Sequence, residues 1–260
     1  MSNIELHYRP GLSMGHAQLH AFHQELREVA ATCLGQDLPD YQCLNGSRRE
    51  FTRLVIAVAR DSQGRMEGFC SSYLLEGGDL GQILHLGLTC VRPGTRGKGL
   101  THKLTSKVVM GHLLRTPFWR QVWISNVACV LSSLGNVGLH FVDVYPSPFV
   151  TEPSRDHQRV ARLIAENYRW ELLVPEASAF DEENFVFAGS VKGTSFEKEG
   201  SDRRFHHRHD WLNDYYRGLM DFERGDEVLQ IGKISLMAYP RHLLRSWQRR
   251  THAQALPLPA

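Results

Sequence analysis

QILHLGLTCVRPGTRGKGLT, residues 82–101, is the stretch whose reading decides the fold. Its first half is a nearly continuous apolar run of strand length. Its second half is a glycine-rich turn that opens a helical pattern, THKLTSKVVMGHLLRTP from residue 101. Glycine at 97 and 99 lets main chain approach a ligand without side-chain obstruction, and the first turn of a helix offers unpaired N–H donors and partial positive charge. With Arg96 and Lys98 beside them, these donors describe an anion site of the kind that pyrophosphate fills.

Working outward, LVIAVA from Leu54 and MEGFCSSYLL from Met66 flank Asp61-Ser62-Gln63-Gly64, a hairpin pattern, and Gly77-Gly78-Asp79 turns the chain into residue 82. Three consecutive antiparallel strands are expected. After the loop, Leu104, Val108 and Gly111 share a helical face until Pro117 ends the run, and QVWIS returns as a strand. Strand, helix, strand implies a parallel crossover, so the sheet is mixed. Before it, residues 3–8 alternate weakly, and Leu19, Phe22, Leu26, Val29, Ala30 and Cys33 follow at helical spacing up to Gly35. A second helix is expected over 127–140, where Ser132, Ser133, Gly135 and Gly138 lower its propensity but allow close approach. Beyond it the pattern predicts a helix over 154–170, a strand near 184, an exposed polar loop over 192–202, a helix over 203–222 and a last strand, EVLQIGKISLMAY.

A formal charge of +2 over 260 residues gives no basic field that would point to nucleic acid. Cys33, Cys43, Cys70, Cys90 and Cys129 are odd in number and lack a CxxC pair, so neither a disulfide framework nor a zinc knuckle is expected. The N-terminus has no apolar signal core, and no run approaches the ~18 apolar residues of a membrane helix. A soluble cytoplasmic protein, with no membrane partner, is the expectation.

Two nucleotide motifs fail on spacing. A Walker A loop needs glycine where Arg92 stands and Ser or Thr where Gly99 stands, and a dinucleotide fingerprint needs glycine at His102. The run Val91-Arg92-Pro93-Gly94-Thr95-Arg96-Gly97-Lys98-Gly99-Leu100-Thr101 instead resembles the acetyl-CoA loop of the GNAT acyltransferase superfamily, R-x-x-G-x-[G/A] after V-x-P-x-x-R, departing from it at Thr101. The resemblance spans roughly residues 3–145. It implies an α/β fold with a GNAT-like mixed central sheet, antiparallel N-terminal strands, flanking helices and an α/β C-terminal extension. The implied division is a core over 1–145, an extension over 146–250 completing the fold, and a disordered tail over 251–260.

The resemblance further implies transfer of an acetyl or other acyl group from a coenzyme A thioester to an amine by direct attack, with acyl-CoA as donor substrate and no metal. Val91 would pair with the pantetheine arm, Arg96, Gly97, Lys98, Gly99, Leu100 and Thr101 would hold the pyrophosphate, and Asn126 looks like the family's CoA-contacting asparagine. His85 falls where related enzymes carry a glutamate base, and strand alternation puts it on one face with Gly87, Thr89 and Val91; a hydrogen-bonded core histidine fits the position equally well. Ser133 stands where the family's acid tyrosine is usual, which leaves Tyr145 as the alternative acid or as a packing residue. A long extension favours a small-molecule amine acceptor, and a homodimer is compatible with all of this. The rival is a non-catalytic acyl-CoA-binding or interaction module that has lost acid and base.

Three further signals carry less. His206 and Asp210 are one turn apart on the expected helix and would share an ion, but Arg203, Arg204 and Arg208 oppose a cation. Trp211, Tyr215, Tyr216 and Phe222 fit core packing better than base stacking. RHLLRSWQRR reads as a solvated basic helix face.

Overall fold

Residues 54–60, LVIAVAR, bury side chains on both faces, as a strand covered by helices on two sides must. In the computed structural model, which describes residues 3–236, the chain runs through β1 (Asn3–Tyr8), α1 (Pro10–Ser13), α2 (His16–Leu34), α3 (Arg48–Phe51), β2 (Leu54–Arg60), β3 (Met66–Glu76) and β4 (Gln82–Val91). It continues through α4 (Leu100–Leu113), β5 (Val122–Ala128), α5 (Leu131–His140), β6 (Val142–Tyr145), α6 (Arg155–Asn167) and α7 (Arg169–Leu172). The two-residue strands β7 (Phe180–Asp181) and β8 (Val186–Phe187), then α8 (Asp210–Arg217) and β9 (Glu227–Ile234), complete it.

The strands form one sheet in the order β1-β2-β3-β4-β5-β9-β8-β7, with β6 also on β9. β1 to β4 are antiparallel and β5 is parallel to β4, so the mixed sheet expected from the sequence is present. One face is covered by α2 and α6, whose Leu26, Val29, Val160 and Ile164 pack with Phe69, Tyr73, Ile83 and Leu229. On the other face Leu104 and Val108 of α4 pack against Val55, Leu84 and Leu86.

A bulge breaks the alternation of β4. Cys70 pairs with Thr89 and Ser72 with Leu86, so β4 carries one extra residue at 87–88. The expected facing of His85 with Thr89 and Val91 is therefore wrong, while Gly87 stays on the His85 side beneath Gln42. Leu88 and Cys90 join the α2 side with Tyr73 and Ile83, while Val91 crosses to the α4 side with Leu84 and Leu86.

β9, drawn from residues 227–234, lies between β5 and β6, so residues 146–226 leave and return to the same sheet. Within this excursion Ser154 and His157 close a capping box at the start of α6. The helix expected over 203–222 shortens to α8. The Asn213 side chain accepts from the His207 N–H at 2.8 Å and donates to its carbonyl at 2.9 Å, holding residues 206–209 outside the helix. His206 and Asp210 consequently do not share a helical turn.

Tyr216 is fully buried, and Trp211, Tyr215 and Phe222 pack around the same cluster. The small residues of α5 accept side chains: a Cβ at Gly135 would meet the His207 ring, and one at Gly138 the Tyr216 hydroxyl. The loop over 192–202 is tied down rather than free. Phe196 meets the Tyr41 ring edge-on at 5.5 Å, and its carbonyl accepts from the Cys129 thiol at 3.3 Å. The basic stretch over 241–250 and the tail over 251–260 lie outside the described residues. Among those described, no helix is long and apolar enough to cross a membrane.

Candidate active site

The parallel pair β4 and β5 holds together only from Ile83↔Trp123 to Leu86↔Asn126. Beyond that point β5 continues against β9 to Ala128, while β4 continues against β3 to Val91. The strands thus part at the bulge, opening one edge of β4 from residue 87 onward. At its far end, a 3-10 turn at Pro93–Thr95 leads to Gly97 and Gly99, with φ of 82° and 68°. A side chain there would be strained by the backbone alone, since a Cβ at either position meets nothing within 4 Å. Gly99 caps α4, and the first N–H groups of that helix point into the open loop.

A four-stranded antiparallel meander, a parallel fifth strand that parts from the fourth, and an open glycine loop on the following helix are now in one place. The fold is that of the GNAT acyltransferases. No family model and no curated protein matches the chain. Among solved structures it is similar to the aminoglycoside N-acetyltransferase AAC(6')-Iy in complex with CoA, at 19% identity and TM-score 0.31 over 44% of this chain and 72% of that one. It is similar to an acetyltransferase of the GNAT family from Staphylococcus aureus Mu50 at 13% identity and TM-score 0.33, covering 47% and 72%. An aminoglycoside acetyltransferase from an uncultured soil metagenomic sample, in complex with sisomicin, gives 14% identity and TM-score 0.33, covering 44% and 71%. The likeness is one of fold, and it is read from strand order and loop, not from the superpositions.

Val91, Arg96, Gly97, Lys98, Gly99, Leu100 and Thr101 gather at the end of β4. Leu100 is buried and anchors the loop, while Gly97, Lys98, Gly99 and Thr101 are exposed. The Val91 carbonyl is already engaged, accepting from Cys33 Sγ at 3.3 Å and Arg96 Nε at 3.4 Å. Asn126 ends the paired part of β5. Its Nδ2 donates to Gln230 at 3.2 Å and its Oδ1 accepts from Ser133 at 3.5 Å, so the asparagine ties β5 to β9 and α5.

His85 and Tyr145 share a face but not a site. The register runs Tyr73↔His85↔Ser125↔Ile231↔Tyr145 across the sheet, which places the two sequence candidates three strand spacings, ~14 Å, apart. His85 is fully buried with Nδ1 3.0 Å from Ser125 Oγ, and among the described residues its Nε2 has no hydrogen-bond partner. Burial lowers its pKa to about 3, so the ring is neutral and weakly basic at pH 7. The Tyr145 hydroxyl donates to the Glu183 carbonyl at 2.6 Å.

Other residues occupy the opening. The Gln42 amide fills the space a side chain at Gly87 would take, and its Oε1 accepts from the Leu88 N–H at 3.4 Å. Its Nε2 donates to the Tyr41 hydroxyl at 2.9 Å. The Tyr41 phenol is held above its ordinary pKa by burial and then by the charge of Glu227. Glu227, at the first position of β9, is buried and accepts from Ser190 at 2.9 Å; burial pushes its carboxyl up to about 7. Sequence offered one signal for it, a carboxylate opening a mostly apolar strand. Gln42 offered none, since its role depends on a positive φ of 48° and on the bulge opposite.

Proposed function

We propose that this protein is an acyl-CoA-dependent N-acyltransferase that moves an acetyl or other short acyl group to a small-molecule amine. The observation that carries this reading is the parting of β4 and β5 after Leu86↔Asn126, directly upstream of the open loop at Gly97 and Gly99. The amides from Arg96 to Thr101 receive the pyrophosphate, and the helix N-terminus stabilises its charge. The pantetheine arm lies along the freed edge of β4, with the thioester at the bulge beside Leu88.

There the Leu88 N–H, now in a long bond to Gln42, is available to the thioester oxygen as it gains charge. A neutral amine attacks the carbonyl carbon, the C–N bond forms and the C–S bond breaks. The amine proton goes to the Glu227 carboxylate, whose pKa of about 7 suits a general base at neutral pH, and the CoA thiolate leaves to be protonated by solvent. Glu227 replaces His85 in this role because the buried imidazole is too weak a base. His85 instead orients Ser125 and the floor of the opening. Residues 1–145 supply the donor site, and the following segment covers it through Phe196.

Calorimetric titration of CoA, followed by thiol release from acetyl-CoA with a panel of amines, tests the proposal. Binding that survives Gly99→Val unchanged, or CoA binding without transfer to any amine, rejects it; the second result establishes the binding-module alternative.

A further inference from the structure

Between Asp79 and Asp143 the chain carries no acidic residue, while Arg92, Arg96, Lys98, Lys103, Lys107, Arg115 and Arg120 all fall there. The first three belong to the glycine loop. The other four do not: Lys103 and Lys107 are exposed one turn apart on α4, and Arg115 and Arg120 bracket the turn that follows it. A second acid-free stretch, between Glu5 and Glu25, contains the end of β1 and all of α1. The two meet where Arg115 lies over the Tyr8 ring at 4.5 Å. Arg120 reaches Gly81, and the acids just before it, Glu76 and Asp79, are taken by Gln82 at 2.9 Å and by Arg159 at 2.6 Å.

The turn itself is apolar and stands in water. Leu114 is 70% exposed, Phe118 60% and Trp119 69%, and Leu12 of α1 is 67% exposed at the same end of the sheet, where β1 ends and β2 and β5 begin. Single exposed apolar side chains are ordinary; a group of them at one end of a molecule marks an interaction surface. The turn is also well ordered. The N–H groups of Arg115 and Thr116 donate to the His112 and Leu113 carbonyls at 3.0 Å, that of Arg120 donates to the Pro117 carbonyl at 2.9 Å, and the Phe118 and Trp119 rings meet edge-on at 4.9 Å.

We propose that this end of the molecule binds the surface of an anionic lipid bilayer, with Leu114, Phe118 and Trp119 in the headgroup boundary and Arg115 and Arg120 against the lipid phosphates. The apolar side chains need an apolar medium and the unopposed cations need anions, and a bilayer interface supplies both at the same depth. A second copy fits worse, since a two-fold contact through this corner sets like charges against each other. A nucleic-acid strand offers charge but no medium for Leu12 and Leu114. The contact is confined to the surface, because no helix among the described residues is long and apolar enough to cross. The 14 residues of α4 set the glycine loop ~20 Å from this corner, so a molecule seated on lipid keeps that loop in water. The inference does not depend on the acyltransferase reading.

Sedimentation of the full chain with vesicles of phosphatidylglycerol and phosphatidylcholine, and with vesicles of phosphatidylcholine alone, tests the site without any acyl donor. The expected result is binding to the anionic vesicles that falls with added salt and is weakened about tenfold or more by the double variant Phe118→Ser, Trp119→Ser and by Arg120→Glu. Tryptophan emission moves to shorter wavelength on binding, a shift that Trp119→Leu removes. All these substitutions change exposed side chains and leave the core intact, and Arg120→Glu decides the matter if the double variant misfolds. No binding to anionic vesicles, equal binding to phosphatidylcholine alone, or undiminished binding by the double variant overturns the proposal. So does self-association through Phe118 and Trp119, or capture of a single-stranded oligonucleotide, with the vesicles left unbound. Vesicle binding by a chain that does not bind CoA keeps this surface and rejects the acyltransferase reading.

Discussion

The Gln42 side chain lies flat across Gly87, so the extra residue of the β4 bulge is held by a side chain from a different part of the chain. That contact requires glycine. Gly87→Ala places a methyl group in the Gln42 amide and is expected to lower stability by about 1–3 kcal/mol, the usual cost of overpacking. Thermal unfolding measures it. Gln42→Ala in the same chain restores most of the loss, a coupling that a double-mutant cycle reads directly.

Gly99 has a different requirement, since its surroundings are open but its φ is 68°. A β-branched residue there strains the backbone by about 1–3 kcal/mol and shifts the amides of the first α4 turn. Gly99→Val is therefore expected to weaken CoA binding by at least tenfold, while circular dichroism stays as in the parent.

Burial raises the pKa of Glu227 from the ordinary carboxylate range to about 7. The folded state binds this proton more tightly than the unfolded chain, so the stabilisation it brings is complete below the unfolded value and is lost as pH rises through 7. Glu227→Gln is expected to unfold at a higher temperature than the parent at pH 8 and at nearly the same temperature at pH 4. It also removes the acidic limb near pH 7 from the rate of acyl transfer.

His85 moves in the opposite direction, since burial lowers its pKa from the ordinary imidazole value, 6.5, to about 3. Unfolding lets the ring take up a proton, so the folded state loses stability as pH falls from 6.5 toward 3. His85→Asn is expected to flatten that part of the stability curve while leaving any rate limb near pH 7 in place. Disappearance of that limb would return the base role to His85.

Cys33 is half-buried, and hydrogen bonding, first with Cys90 and then with Thr32 and Arg96, lowers its pKa to about 5 despite burial. The proton of the pair stays on Cys90, which the thiolate of Cys33 holds well above the ordinary thiol range. Burial raises Cys43 and Cys129 to about 12. Iodoacetamide at pH 6 is expected to label Cys33 ahead of the other four, as peptide mass spectrometry would show.

Much of the architecture was legible because it is written in local periodicity. The apolar run from Ile83 to Val91, the turn at Asp61 to Gly64 and the spacing of Leu104 and Val108 each define one element from neighbouring residues. The loop at Gly97 and Gly99 was legible for the same reason, as an anion site needs only consecutive amides and the helix after them.

The site residues were less legible. Counting along an unbroken strand puts His85 on one face with Thr89 and Val91, and the bulge, which depends on β3 and on Gln42, breaks that alternation. Tyr145 sits on the His85 face yet is separated from it by two strands that no local pattern orders. The helical pattern over 203–222 is cut to Asp210–Arg217 because the bonds between Asn213 and His207 compete with helix hydrogen bonds, and such competition is decided by packing.

By itself, then, the sequence determined the central strands β1 to β5, the helices α2 and α4 and the glycine loop, each of which depends on residues within a turn or two of one another. Only the tertiary structure decided that Gln42 crosses Gly87, that Glu227 is buried near Tyr41, and that Arg115 lies over the Tyr8 ring. The physical reason is that burial and charge pairing depend on neighbours brought from distant parts of the chain. Those neighbours set the pKa of Glu227 and His85, and with it which group can take a proton.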